Sequence, residues 1–400
     1  MTSQKLPLSG LLVVDFSRVL AGPLCTQMLA DFGARVIKIE EPLRGDETRR
    51  WGPPFIGDVS TYFLSVNRGK ESLTLDLSRG SEVVQRLLDR ADVVVDNFLP
   101  RQRARLLGNM RRRRPHIVHC SISGYDSDTA LADKSGYDLL AQAESGLMSI
   151  TGEPQGDPMK VGVALADVLT GHHAFGAISA ALVAREKTGQ GASIEVSIFS
   201  STISSLVNVA QGALATRKEA QRYGNEHASI VPYQLFHGSD RPFTIGAGTD
   251  RHFDALCREV IARPELATDR RFRTNAARVK NRRVLIPLLE GIFRGERASK
   301  WVARCRRAAV PAALVRGVRE ALQTTEAQLL IASIDHPRIG VYEAVRSPAR
   351  IGGKRAPLGS APPELGQHTD AILKELGYAR RDVESLRRDG VIGQTRASEG

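Results

Sequence analysis

The chain has 400 residues, 42% hydrophobic and 25% charged, with a formal net charge of +12. That length suggests two domains, or one large domain with an appendage, and a core that needs no disulfide staples. The four cysteines, Cys25, Cys120, Cys257 and Cys305, show neither C-x-x-C spacing nor a companion histidine cluster, so free thiols and no metal site are expected. Aromatic residues make up only 5%, too few for base stacking, so the positive charge is read as serving phosphorylated small molecules and not nucleic acid. Met1–Pro7 forms no apolar leader, and no run reaches the ~20 apolar residues of a membrane helix; a cytoplasmic protein with no membrane partner is expected.

Leu11–Phe16 reads as a buried strand, Gly22–Ala30 as a helix ended by Gly33, and Arg35–Glu40 as a second strand, which together make a βαβ unit. The pattern recurs in strand Ser72–Leu77, helix Gly80–Arg90, strand Ala91–Phe98 and strand Ile117–Ser123. Such alternation predicts an α/β fold, with an open parallel sheet covered by helices on both faces and ligands at the carboxyl ends of the strands. Those ends carry Ser17–Leu20, Glu40–Glu41, Asn97–Phe98 and Ser123–Gly124. The run Arg111–Arg114 is either a solvated helix end or a phosphate contact.

Residues 171–187 read as a small-residue helix, Gly189–Gly191 as a turn, Ala192–Val196 as a strand and Ser197–Ala213 as a packed helix. From residue 225 the pattern changes. Tyr233–Phe236 and Phe243–Gly246 look like a hairpin, and helices are expected over 250–262, 275–293 and 298–308. The expected division is therefore a large domain over 1–224, a small α+β domain over 225–330, and a return segment over 331–400 that ends in a helix at Asp370–Leu376. There is no G-x-G-x-x-G at the first strand–helix turn and no G-x-x-x-x-G-K-[ST], so the usual nucleotide phosphate cradles are missing.

The stretch Val161–Gly171 holds one carboxylate, Asp167, after an apolar run of small residues. An ionised carboxylate in such surroundings needs partners or suffers a raised pKa. Asp167 therefore reads as a helix cap or, if substrate can reach it, as a nucleophile.

Several separated motifs occur in order: Val14–Ser17 with Ala21–Pro23, Ala34–Glu40, Asn67–Lys70 with Leu73–Leu77, Ala91–Val93 with Asn97–Phe98, Ser135–Asp138 with Ala141–Ala143 and Ser145–Gly146, the Asp167 stretch, Gly189–Gly191, Arg222–Asn225 with Pro232–Gln234, and Leu365–Thr369. Together they resemble the class III CoA-transferases (the CaiB/BaiF family, which includes formyl-CoA transferase and carnitine CoA-transferase). The resemblance implies a Rossmann-like large domain built from both chain ends, a smaller domain between, and ring-like subunits interlocked as a homodimer. It implies an acyl-CoA and a free carboxylic acid as substrates, coenzyme A as the group moved, and Asp167 as the nucleophile that forms an aspartyl anhydride and then an aspartyl-CoA thioester. The CoA contacts it implies are Arg18, Val19, Leu20, Leu75, Asp76, Leu77, Ser78, Asn97, Phe98, Leu99, Arg105 and Tyr137. Arg18, Leu20 and Glu41 differ from formyl-CoA transferase, which carries histidine, glutamine and a basic residue there.

The related α-methylacyl-CoA racemase is the alternative. It uses a His/Asp pair, and this chain has Tyr137 where the racemase has its histidine. His172 and His173, one helical turn beyond Asp167, are read as packing or surface residues, or as helpers in catalysis.

Overall fold

The computed structural model describes residues 5–108 and 110–393; the leader reading at Met1–Gln4 and the last part of the return segment, 394–400, lie outside them. Six strands form one parallel sheet: β1 Leu12–Asp15, β2 Arg35–Glu40, β3 Lys70–Thr74, β4 Val93–Asp96, β5 Val118–Ser123 and β6 Ser193–Ser197. Their order across the sheet is β3–β2–β1–β4–β5–β6. The chain starts in the middle, winds to one edge, returns and winds to the other. The reversal between β1 and β4 opens a crevice beyond the carboxyl ends of those two strands.

The pleat divides the apolar side chains between two cores. Val13, Val36, Val93, Val95, Val118, Cys120 and Ile122 share one face, beneath α1 Ala21–Asp31 and the long helix Leu165–Thr188. Val14, Ile37, Ile39, Leu73 and Val94 share the other, beneath α2 Ser81–Leu88, α3 Pro100–Leu107 and two helices from the chain's end, Thr369–Glu375 and Arg380–Arg388. Near-continuous Val/Ile strands are what a sheet buried on both faces requires.

The edge strand β3 is sealed by the return segment. Ser72 N–H donates to His368 Nδ1 at 3.2 Å, Thr74 N–H to Thr369 Oγ1 at 3.1 Å, and Gly366 N–H to Ser72 Oγ at 2.9 Å. The Leu365–Thr369 motif thus blunts a sheet edge that would otherwise offer unpaired backbone groups.

Two further helices carry the site. They are α4 Asp138–Glu144, which periodicity did not reveal, and α5 Leu165–Thr188, which begins six residues before its expected start. Gly171, Ala174, Ile178 and Leu182 make one buried stripe on α5. A Cβ at Gly171 would sit 2.8 Å from the carbonyl oxygen of Ala21, so only glycine lets α5 approach α1 this closely.

The single helix expected over Ser197–Ala213 is two helices, α6 Ile198–Ser204 and α7 Val207–Thr216, bent by 77°. Thr202 Oγ1 donates to the Ile198 carbonyl at 2.7 Å and Ser205 Oγ to the Ser201 carbonyl at 2.7 Å. Such back-bonding competes with the helical ladder and bends it. Among the described residues no single helix is long and apolar enough to cross a membrane.

The described chain falls into two compact units. One comprises the residues up to Leu147, Val161–Arg217 and the residues from Thr325 onward; the other comprises Met148–Lys160 and Lys218–Thr324. The second unit has an antiparallel sheet of β7 Tyr233–His237, β8 Pro242–Gly246 and β9 Ala312–Leu314, in the order β9–β8–β7. Phe236, Phe243, Phe253, Phe272, Phe293 and Trp301 fill its core. Arg278 is fully buried there, donating to the Val231 and Phe272 carbonyls and to Asp250. All four cysteines are buried free thiols.

Replacing Gly171 by alanine tests the close helix approach. Gly171→Ala is expected to lower stability by about 1–3 kcal/mol in denaturant unfolding, because the clash is with backbone; an unchanged midpoint would contradict the packing described.

Candidate active site

The crevice at the β1/β4 reversal is a cleft of about 240 Å³. Arg18, Val19 and Leu20 enter it from the loop after β1, and Asn97, Phe98 and Leu99 from the loop after β4. Ser123 and Gly124 follow β5, Tyr137 precedes α4, and Asp167 comes from the first turn of α5.

The loop after β4 is tied to the loop after β1. Asn97 Oδ1 accepts the Arg18 N–H at 3.2 Å, and Asn97 Nδ2 donates to the Arg18 carbonyl at 3.0 Å. Most of the Asn97 amide is thereby committed to shaping the cleft. Beneath it, the fully buried Asp15 accepts from Ser17 N–H at 2.9 Å, Ser17 Oγ at 2.5 Å, Thr26 Oγ1 at 2.6 Å and Lys70 Nζ at 3.1 Å. Burial and Asp15 act in opposite senses on Lys70, and burial prevails, bringing its ammonium down to about 8.

Tyr137 and Asp138 are placed by a backbone contact. A Cβ on Gly136 would lie 2.2 Å from Gly124 Cα, so the segment before α4 rests directly on the chain leaving β5. Tyr137 projects into the cleft and is 59% exposed. Asp138 turns to α5, where its Oδ1 accepts the Ala166 N–H at 2.9 Å and its Oδ2 accepts from Gln142 Nε2 at 2.8 Å. Asp138 therefore caps the start of α5 from another helix.

Asp167 is the third residue of α5, and the residue at the N-cap is Ala164. The helix-cap reading of Asp167 is thus replaced: the capping carboxylate is Asp138. Asp167 is 9% exposed, and among the described residues no group donates a hydrogen bond to its carboxylate. Burial, and secondly the charge of Asp138, push it up to about 7. Two carboxylates at one helix start are thus differentiated, one satisfied and one left basic and facing the cleft.

Tyr62, which the sequence motifs did not single out, feels the same charges. Burial, then Asp167, Asp138 and Asp46, push its phenol up to about 12, so it remains a neutral donor. Asp138 stood inside a recognised motif, but only three-dimensional packing shows which helix its side chain reaches.

Of the sequence-derived contacts, the structure gathers Arg18, Val19, Leu20, Asn97, Phe98, Leu99 and Tyr137 around Asp167. It does not bring Leu75, Asp76, Leu77, Ser78 or Arg105 into that lining. The Leu75 side chain is buried in the core, and Asp76 closes a tight turn by accepting from Ser78 N–H and Oγ. Arg105 is exposed on α3, beside a separate hollow, with no ion-pair partner among the described residues. His172 and His173 are exposed on α5 outside the cleft lining, and His172 Nδ1 lies 2.8 Å from the Val168 carbonyl. In the basic run, Arg111 donates to the Gly191 carbonyl and Arg114 pairs with Asp89, so both of these serve structure.

Residues 8–369 match the model of the family described as CoA-transferase family III. Succinyl-CoA:glutarate CoA-transferase of Mus musculus is 41% identical over 398 residues, covering 97% of this chain and 91% of its own. Acetyl-CoA:oxalate CoA-transferase of Acetobacter aceti is 39% identical over 379 residues, covering 92% and 95%. The crystal structure of a CAIB/BAIF family protein from Brucella suis aligns with a TM-score of 0.82 at 38% identity, over 93% of this chain and 100% of that one. The match runs through both units and includes the parallel sheet and its cleft, and this chain belongs to CoA-transferase family III and is a CoA-transferase.

Proposed function

We propose that the protein moves coenzyme A from an acyl-CoA thioester to a free carboxylic acid, with Asp167 as the covalent nucleophile. The observation that carries this reading is a carboxylate mostly buried, without hydrogen-bond donors among the described residues, held basic at about 7 and facing a cleft at the sheet's switch point. A carboxylate so placed is poised to attack carbon.

The steps balance as follows. An Asp167 oxygen attacks the thioester carbonyl, the C–S bond breaks, and CoA leaves as thiolate from a mixed anhydride. The thiolate attacks the Asp167 carbonyl, releasing the first acid as carboxylate and leaving an Asp167–CoA thioester. The acceptor carboxylate attacks that thioester and expels the thiolate again. The thiolate then takes the new acyl group and restores Asp167. Asp167 lies in the first turn of α5, so the positive dipole end of that helix favours the negative charge that builds at each attack.

The relatives' names supply succinate, glutarate and oxalate, all dicarboxylic acids, and a substrate of that class is proposed here. The CoA contacts proposed are the gathered residues Arg18–Leu20, Asn97–Leu99 and Tyr137, with Leu75–Ser78 and the exposed Arg105 serving the phosphate-bearing end. The 3-2-1-4-5-6 strand order supports a Rossmann-like large domain, with 225–330 as the small domain. An interlocked homodimer in the cytoplasm completes the reading. The apolar helix α7 supports it, since none of its residues is buried within the chain and Leu214 is 74% exposed. Proton shuttling of the racemase kind finds no histidine in the described cleft lining, and a tyrosine is a poor base at neutral pH.

Asp167→Ala is expected to lower CoA exchange between succinyl-CoA and glutarate by on the order of 10⁴-fold or more, followed by mass spectrometry of the acyl-CoA pool. Full exchange by that variant would remove Asp167 from the chemistry. Because the carboxylate is the reactive form, kcat/KM should fall as pH drops below about 7. Asp138→Asn removes the neighbouring negative charge, so that acid limb should move to lower pH; a limb that stays put would contradict the coupling.

The same pKa predicts a stability effect. Between the unperturbed value of 3.8 and about 7 the folded state holds a proton that the unfolded state releases, so folding weakens as pH rises through that window. Asp167→Asn should therefore stabilise the protein at pH 8, by up to about 4 kcal/mol, and do little at pH 4. Equal melting shifts at both pH values would contradict the buried, basic carboxylate.

A further inference from the structure

The loop Ser17–Val19, which walls the cleft, has most of its backbone polar groups taken by side chains. Asp15 holds the Ser17 N–H, Asn97 holds both polar groups of Arg18, and Lys38 Nζ donates to the Ser17 carbonyl at 2.8 Å. Asp46 accepts the Val19 N–H, at 3.4 Å to Oδ1 and 3.3 Å to Oδ2. Lys38 and Asp46 pair with each other at 2.8 Å, and both side chains are 0% exposed.

What they hold is strained. Val19 has φ +73°, a left-handed conformation that a β-branched residue rarely adopts. Released from Asp46, Val19 would relax to negative φ and carry Leu20 and the cleft wall with it. Asp46 also caps the short helical turn Glu47–Arg50, with Thr48 N–H donating at 3.0 Å and Thr48 Oγ1 at 2.7 Å. That turn sets Glu47 in the cleft, 2.8 Å from Arg18. Burial alone would favour a neutral Asp46, but Lys38 and Thr48 outweigh it and hold the carboxyl down at about 2, so the pair stays charged over the whole working pH range.

We propose that the buried Lys38–Asp46 pair is a positioning device for acyl-CoA, holding Val19 in its left-handed conformation and thereby fixing the cleft wall at Arg18, Val19 and Leu20. The proposal rests on the reading of this cleft as the acyl-CoA site. Lys38 and Asp46 do not line the cleft; they act through the loop they hold.

The test is a neutral pair, Lys38→Gln with Asp46→Asn, which keeps both shapes and leaves no unpaired buried charge. With succinyl-CoA varied, KM is expected to rise about tenfold or more while kcat at saturation changes by less than about threefold. Val19→Gly, added to that pair, adopts φ +73° without strain and should bring KM back to within about threefold of Val19→Gly alone. Melting temperature should stay low in both, which separates positioning from folding. A second variant, Asp46→Glu, keeps the charge but displaces the carboxylate; it is expected to show the same KM rise and the same rescue, should the neutral pair not fold. A KM within about twofold of wild type in a folded variant, or no rescue by glycine, would overturn the positioning role. Wild-type protein that fails to exchange CoA, or an active Asp167→Ala, would overturn the reading of the cleft itself.

Discussion

A carboxylate taken out of water without hydrogen-bond donors destabilises the place that holds it, and the arrangement around Asp167 follows from that constraint. Something else has to keep the side chain in position. Helix α5 does so through a long buried stripe against α1 and the sheet, with Gly171 permitting backbone-level contact with Ala21. Asp138 takes the Ala166 amide at the start of the helix, which secures the helix end and leaves Asp167 without a hydrogen-bond donor among the described residues. The packing of α5 against α1 and the sheet is thereby set against the cost of one basic carboxylate.

The cleft wall shows the same logic in a different form. A loop between a strand and a helix has no ladder of its own, so its backbone groups need other partners. Here they are met by buried ionised side chains, Asp15 with Lys70 and Asp46 with Lys38, placed on or beside the parallel strands. Each acid would be costly alone, and each is paired with a cation that also binds a carbonyl, Pro23 for Lys70 and Ser17 for Lys38. The polar layer beneath the cleft is therefore held by charged pairs that also bind the backbone.

Much of this was legible in the chain. Buried Val/Ile strands alternating with helices announce a parallel sheet, and ligands at strand ends follow from that topology. The regularity of Leu12–Asp15 or Val93–Asp96 comes from burial on both faces, which local sequence records. The start of α5 is not legible locally, because Leu165–Thr170 carries no distinctive periodicity and its cap comes from Asp138, a residue 28 positions away from Ala166. The α6–α7 bend leaves no mark on composition, because serine and threonine back-bonding acts only through the folded backbone. Lys38 and Glu40 look like ordinary charges in a strand; that both are buried depends on Asp46 and Arg49 folding over the strand end, a contact that no spacing rule encodes. Asp167 itself stands out, but the cap reading falls away only when Asp138 is seen occupying that place.

Asp167 is proposed to carry the group in transit, and trapping can catch it there. The protein would be mixed with succinyl-CoA, quenched with hydroxylamine and digested, and the peptide bearing Asp167 read by tandem mass spectrometry. A hydroxamate on Asp167 is expected, formed only when the thioester is present and absent from unreacted protein. Active exchange with Asp167 unmodified, or with the hydroxamate on another carboxylate, would contradict it.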